Sequence, residues 1–212
     1  MAHSVWTGGS RHTGRAALPH KNIHYALLIC IIASEVFIFL FTYQKGKGKA
    51  KKHYYDKGTK WLLYINFIIC LYISVWFVSQ SCPLIIRDKL FPYFFSYVGI
   101  LFMLFGIIVR LVAVLTLKKA FTLNVQTTNE QHLVTTGIYH KVRNPAYTGS
   151  IMSLVGIALS LRNLFATVLV LLFSIICYSI RIYVEEAALR ERFQDEFKEY
   201  TINTFRLFPY IW

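Results

Sequence analysis

Apolar and polar positions are segregated along this chain in long blocks. Charge-poor apolar stretches run over 23–43, 61–86 and 91–117, the last interrupted only by Arg110. Two more, 144–161 and 163–180, are separated by Arg162 alone. At about 1.5 Å per helical residue, the first three are long enough for a hydrocarbon core roughly 30 Å thick. A one-residue separation predicts that the last two are antiparallel helices in contact. The expected fold is therefore all-α: an integral membrane protein of about five transmembrane helices, ending in a helical hairpin. Residues 1–22, rich in Ser, Gly, His and Arg, show no apolar periodicity and are expected to be a flexible segment. Three spans then fill 23–117, and 118–212 form a functional core. No plausible cleavage site follows the 23–43 run, so it reads as a span and not as a secretory signal.

Composition sharpens this picture. Of the 212 residues 56% are hydrophobic and 16% charged, with a formal net charge of +13. Six acidic residues, Glu185, Glu186, Glu191, Asp195, Glu196 and Glu199, fall in the last stretch of the chain, so everything before them is strongly basic. In so apolar a chain, basic loops beside an anionic membrane surface explain the charge better than nucleic-acid binding. Lys45, Lys47, Lys49, Lys51, Lys52, Lys57 and Lys60 lie between the first and second spans, and Lys118, Lys119, Lys141 and Arg143 between the third and fourth. The alternate loops carry only Arg87 with Lys89, and Arg162. By the positive-inside rule the N-terminus is outside and the C-terminus cytoplasmic. Cys30, Cys70, Cys82 and Cys177 have no metal-site spacing and read as packing residues, so no metal is expected. Glu35 and Arg110 are ionisable residues inside spans; each must face protein or water, and they are candidates to pair with each other.

The chemistry is expected where the chain turns polar. The stretch 118–147 contains Gly137 and Pro145 at turn-forming positions and lacks the composition of a disordered linker. A second polar cluster, 181–200, follows the last span directly. Arg181 and Glu185 are four residues apart and share a helix face. Phe193, Phe197 and Tyr200 give this extension an apolar stripe able to pack on the loop or on the membrane surface. The hairpin between Pro145 and Arg181 brings both polar segments to the cytoplasmic side, where they should meet.

At these residues the sequence resembles the isoprenylcysteine carboxyl methyltransferase family and its phospholipid N-methyltransferase relatives. Their pattern H-x-L-V-x-x-G-I-Y-x-x-x-R-H-P-x-Y is matched by QHLVTTGIYHKVRNPAY, from Gln131 to Tyr147. Their R-x-x-x-E-E-x-x-L is matched by RIYVEEAAL, from Arg181 to Leu189, with FQDEFKEY from Phe193 and RLFP at 206–209 following in the same order. Gln131 stands where the family has His, and Asn144 replaces the His of R-H-P; neither carries a proton in the neutral range. The resemblance implies methyl transfer from S-adenosylmethionine, with S-adenosylhomocysteine as product, in a cytoplasmic cofactor pocket. It also implies a lipophilic small-molecule or lipidated acceptor entering from the bilayer. Implied cofactor contacts are Gln131, His132, Leu133, Val134, Gly137, Tyr139, His140, Arg143, Asn144, Pro145, Tyr147, Glu185 and Glu186. Arg181 would steer an anionic acceptor and Glu185 would receive hydrogen bonds from the donor; these two are the candidate catalytic residues. For Arg143 the choice is between the donor's carboxylate and anchoring of the loop, and for Glu186 between the donor and Arg143 or the loop. Two other classes remain open: a nicotinamide-dependent membrane reductase related to sterol reductases, and a non-catalytic membrane binding protein.

Overall fold

A computed structural model describes residues 59–79, 93–124 and 133–209, together with Ile29 and Ala33. The expected first span, Glu35 and the segment 1–22 lie outside the described residues, apart from those two positions. The described elements are α1 (Thr59–Ser79), α2 (Phe94–Asn124), a 3-10 turn (Gly137–His140), α3 (Pro145–Ser160) and α4 (Leu164–Ile202). Among the described residues there is no strand, only an isolated parallel bridge between Val142 and Phe205.

Two of these helices are long and apolar enough to cross a membrane: α2 over Phe94–Leu117, and α4. The apolar parts of α1 (Trp61–Phe77) and α3 (Pro145–Ser160) are shorter. Large apolar side chains point outward along α1, α2 and α4, among them Trp61, Ile68, Leu101, Phe105, Ile108, Leu172 and Ile176. So continuous an apolar exterior is rare on a water-facing protein. The third stretch was expected to end at 117, but α2 continues to Asn124, so the first seven residues of the polar segment 118–147 are helical. A change of side-chain polarity does not stop a helix when neither Gly nor Pro intervenes.

α3 is the inner helix, with eleven of its residues buried. Its main partner is α2, through a seam of small residues that the hairpin expectation overlooked. A Cβ on Gly106 would lie 2.6 Å from the Gly149 carbonyl oxygen, and one on Gly156 would lie 2.5 Å from the Met103 nitrogen. Gly99 meets Gly156 and Ser160 in the same way, so the two helices run antiparallel in backbone-to-backbone contact. Ser96 Oγ donates to the Ser160 carbonyl at 2.9 Å, closing one end of the seam. α1 lies antiparallel to α4: Phe77 packs on Phe165 with ring centroids 5.1 Å apart, and Cys70 Sγ lies 3.4 Å from Ser174 Oγ. Cys70 and Cys177 are buried free thiols, as packing residues should be.

The turn from α3 to α4 places Arg162 at φ 62°, and Asn163 then caps α4, its Oδ1 accepting from the Ala166 N–H at 2.9 Å. α4 runs on past the apolar stretch, as the sequence predicts, but breaks at Gln194 (φ 42°, ψ −110°). Left-handed backbone at Gln is costly and persists only where surrounding contacts compensate. Those contacts are close by: Phe197 is buried, and the Tyr200 hydroxyl donates to the Tyr139 carbonyl at 2.7 Å.

Candidate active site

Three pieces of chain meet beside the N-terminus of α3. The loop 133–144 reaches it through the 3-10 turn, which begins at Gly137 with φ 64°, a left-handed value that glycine adopts without steric penalty. Tyr139 is buried from this turn and its hydroxyl donates to the Ala113 carbonyl of α2 at 3.4 Å. Burial raises the Tyr139 phenol well above its usual range, with Tyr200 and Glu185 adding to the effect. Tyr200 is also pushed up, to about 12, by burial, against the opposing pull of Arg143. The loop is then zipped to the chain's last residues: Phe205 N–H donates to the Lys141 carbonyl at 2.9 Å, and Arg143 N–H to the Phe205 carbonyl at 2.8 Å.

Pro145 opens α3 at its first turn, where a missing N–H costs nothing, and Asn144 occupies the cap position. Asn144 does not cap with its side chain. Its amide donates instead to the Arg206 carbonyl at 3.1 Å, and Thr148 Oγ1 donates to the Leu207 carbonyl at 2.7 Å. The start of α3 is thus pinned to the tail 203–209.

Two adjacent carboxylates on α4 serve different halves of this junction. Glu186 is buried; Oε1 accepts from Arg143 Nε at 3.1 Å and Oε2 from Arg206 Nη2 at 2.9 Å. Arg143 also donates from Nη1 to the Thr201 carbonyl at 3.0 Å and to both oxygens of Thr204. Arg143 thus ties the loop to α4 and the tail, and Glu186 meets Arg143. Glu185 turns the other way. Its Oε2 accepts from the Tyr147 hydroxyl at 2.7 Å, and its Oε1 pairs with Arg181 Nη2 one helical turn back. Arg181 Nε donates in turn to the Tyr147 oxygen at 3.2 Å, which closes a ring of three side chains. The Tyr147 ring packs on Tyr178 with centroids 5.2 Å apart. In this ring Arg181 is 10% exposed and Glu185 34%, so the carboxylate is the more accessible member.

The structure brings together Tyr139, Arg143, Asn144, Pro145, Tyr147, Arg181, Glu185 and Glu186. Gly137 and His140 lie on the exposed side of the turn, and Leu133 and Val134 are half-buried just before it. Gln131 and His132 are outside the described residues. Sequence reasoning missed the tail's share. Arg206 begins the RLFP segment and was noted only for its likeness, yet it supplies half of Glu186's ion pairing. Thr201, Thr204 and Leu207 contribute through backbone carbonyls, which no side-chain motif reveals.

Residues 94–196, from α2 to just past the break in α4, match the phospholipid methyltransferase family. The chain is 33% identical over 121 residues to a probable protein-S-isoprenylcysteine O-methyltransferase of Oryza sativa subsp. indica, a match spanning 56% of this chain and 63% of that protein. It is 30% identical over 104 residues to protein-S-isoprenylcysteine O-methyltransferase B of Arabidopsis thaliana, spanning 48% of this chain and 53% of the relative. Over these residues the chain is similar to these methyltransferases. It matches less than two thirds of the length of these curated relatives. The family match contains the Arg181–Tyr147–Glu185 ring and the Arg143–Glu186 pair, whereas α1 and the tail with Arg206 lie outside it.

Proposed function

We propose that this chain is an integral membrane methyltransferase that uses S-adenosylmethionine and acts on a lipophilic acceptor, such as an isoprenylcysteine carboxylate or a lipid amine. The observation that carries this reading is the junction itself. The two polar motifs, far apart in sequence, meet in one ionic cluster at the end of the apolar helices, within a segment matched by a methyltransferase family.

The residues present fit such a donor. The left-handed Gly137 lets a backbone loop turn closely, and Glu185 offers a partly accessible carboxylate to an amino group or ribose hydroxyls. When bound, the donor presents a methyl group on a sulfonium, which needs alignment and exclusion of water more than acid–base help. The protein's part is therefore positional. Tyr139 and Tyr147 wall the site, with Leu133, Val134, His140, Asn144 and Pro145 beside them, and Gln131 and His132 are assigned to the same loop contact. Arg181, held by Tyr147, orients an anionic acceptor through its planar fork. Arg143 and Glu186 hold the loop, α4 and the tail in register, and act through the residues they fix.

In this reading the chain spans the membrane about five times, and the cluster faces the cytoplasm because the most basic loops flank it. The apolar flanks of α1, α2 and α4 then face lipid, and the acceptor reaches the cluster from within the bilayer.

Transfer of label from methyl-labelled S-adenosylmethionine to an S-farnesylated N-acetylcysteine, or to phosphatidylethanolamine in mixed micelles, tests the proposal with the purified full chain. Turnover of either supports it. Absence of transfer to both, with NADPH bound in place of the methyl donor, would favour the reductase class instead.

A further inference from the structure

α4 holds one residue in a conformation that its own surroundings do not explain. Gln194 has φ 42° and ψ −110°, a backbone that is strained for any residue with a side chain. Gln194, Asp195 and Glu196 are all exposed, so packing of the residue itself does not impose the torsion. The chain beyond it does. Residues 195–209 form a strap that folds back over the loop and the start of α3.

The strap is fastened mostly by polar ties. The Tyr200 hydroxyl donates to the Tyr139 carbonyl at 2.7 Å, and Arg143 Nη1 to the Thr201 carbonyl at 3.0 Å. Phe205 bonds Lys141 and Arg143 through its backbone at 2.9 and 2.8 Å. Asn144 and Thr148 donate to the carbonyls of Arg206 and Leu207 at 3.1 and 2.7 Å. Phe197 and Leu207 are the strap's buried apolar side chains. Water replaces hydrogen bonds of this kind at small net cost, so such a seat can open locally and reclose. Opening also lets Gln194 return to ordinary backbone, which lowers the cost further.

Position gives the strap a task. It starts after α4 has left its apolar stretch, so it covers the loop from the side opposite the lipid-facing helix flanks. A water-soluble methyl donor and its product exchange from that side, whereas a lipophilic acceptor comes from the bilayer. Methyl transfer from a sulfonium needs water kept out, and a closing segment supplies this at the price of having to open each cycle.

We propose that the strap 195–209 is a lid on the donor side of the site, hinged at Gln194, which unseats to exchange S-adenosylmethionine for S-adenosylhomocysteine and reseats for transfer. This rests on the methyltransferase reading above.

The test follows S-adenosylhomocysteine on and off the purified full chain in detergent, by rapid filtration with tritiated ligand. Strain of this kind is worth roughly five- to a hundredfold in the balance between seated and open strap. Glycine at 194 relieves it, and returns a few-fold through its greater freedom in the open state. Gln194→Gly should therefore slow association and dissociation together, by about three- to thirtyfold, and leave Kd within about twofold, because one opening gates both steps. Gln194→Ala, as strained as the natural residue, should match wild type. Thr148→Val removes the tie to Leu207 and should speed both rates by about three- to tenfold. Without ligand, hydrogen exchange over 139–144 and 197–209 should slow in Gln194→Gly and quicken in Thr148→Val, while exchange over 94–117 stays as in wild type. Wild-type rates in both variants overturn the proposal, as the strap is then a fixed wall. A changed Kd without the paired change in rates overturns it too, as does exchange that shifts alike over the whole chain. A wild type that binds no S-adenosylhomocysteine removes the underlying reading, and this inference with it. A wild type that binds it while the variants keep its rates removes only the inference.

Discussion

Glu186→Gln is the substitution with the most clearly worked consequence. Glu186 lies between two arginines, 3.1 Å from Arg143 Nε and 2.9 Å from Arg206 Nη2. The Arg143 arm is buried on both sides, at 11% and 5% side-chain exposure, while Arg206 is 32% exposed. Removing one member of a buried pair costs about 3–5 kcal/mol, because the other charge is left uncompensated. The more exposed Arg206 arm contributes less than about 1 kcal/mol. Gln keeps the volume and one acceptor oxygen, so the expected loss is about 3 kcal/mol, toward the lower end of that range. With Cys30 and Cys82 replaced by Ser, the buried thiols of Cys70 and Cys177 make the measurement direct, since a thiol-reactive fluorogenic dye labels them only on unfolding. Equilibrium unfolding in mixed detergent micelles, read with this dye, should show the loss. A cycle with Arg143→Met should return a coupling of at least about 2 kcal/mol. A Glu186→Gln protein within about 0.5 kcal/mol of wild type, or additive single losses, would refute the claim that this pair fastens the loop to α4.

Other outcomes follow from the same geometry. Gly149→Ala should lose about 1–3 kcal/mol in the same assay, because its Cβ would press within 2.5 Å of the Gly106 carbonyl oxygen and force α2 and α3 apart; a stable variant would contradict the close seam. Glu185→Gln should weaken binding of S-adenosylhomocysteine by about three- to tenfold while leaving the unfolding midpoint near that of wild type, the effect of one weakened hydrogen bond at a partly exposed carboxylate. Wild-type affinity would count against Glu185 as a donor contact. Tyr200 keeps its proton to about pH 12 when folded, against 10.0 when free, so folded protein binds the extra proton. That contribution is complete below about pH 10 and is lost as pH rises toward about 12. Alkaline titration of stability should therefore be flatter for Tyr200→Phe over this window, and an identical slope would discount the Tyr200–Tyr139 contact.

Much of this arrangement is legible in the residue pattern, for identifiable reasons. Apolar block lengths anticipate α1, α2 and the first part of α4, because long apolar runs favour a helix, whose backbone hydrogen bonds are satisfied internally. Pro145 marks the start of α3 because its ring fits only the first turn, and Arg181 with Glu185 can be paired by helical arithmetic alone. The seam of Gly99, Gly106, Gly149 and Gly156 is written in the sequence too, as two seven-residue spacings, but a glycine reads first as a turn, and only packing shows which helix it lets approach. The continuation of α2 to Asn124 is hidden because polarity changes there before the backbone does. Arg206, Thr201 and Thr204 act through the fold of the tail, by carbonyls and a long-range ion pair, and these leave no local spacing. The break at Gln194 has no Pro or Gly to announce it; beyond it Phe197 is buried and Tyr200 is tied to the loop through the Tyr139 carbonyl, contacts that compensate the strained backbone.

The central claim is that the meeting of the loop, α4 and the tail forms the donor site. Calorimetric titration of the purified full chain with S-adenosylhomocysteine, with NADPH as the competing ligand class, tests it most directly. The account predicts saturable one-to-one binding of S-adenosylhomocysteine, weakened in Glu185→Gln, and no heat with NADPH. No binding of S-adenosylhomocysteine, or binding that Glu185→Gln leaves untouched while NADPH binds as well, would contradict it.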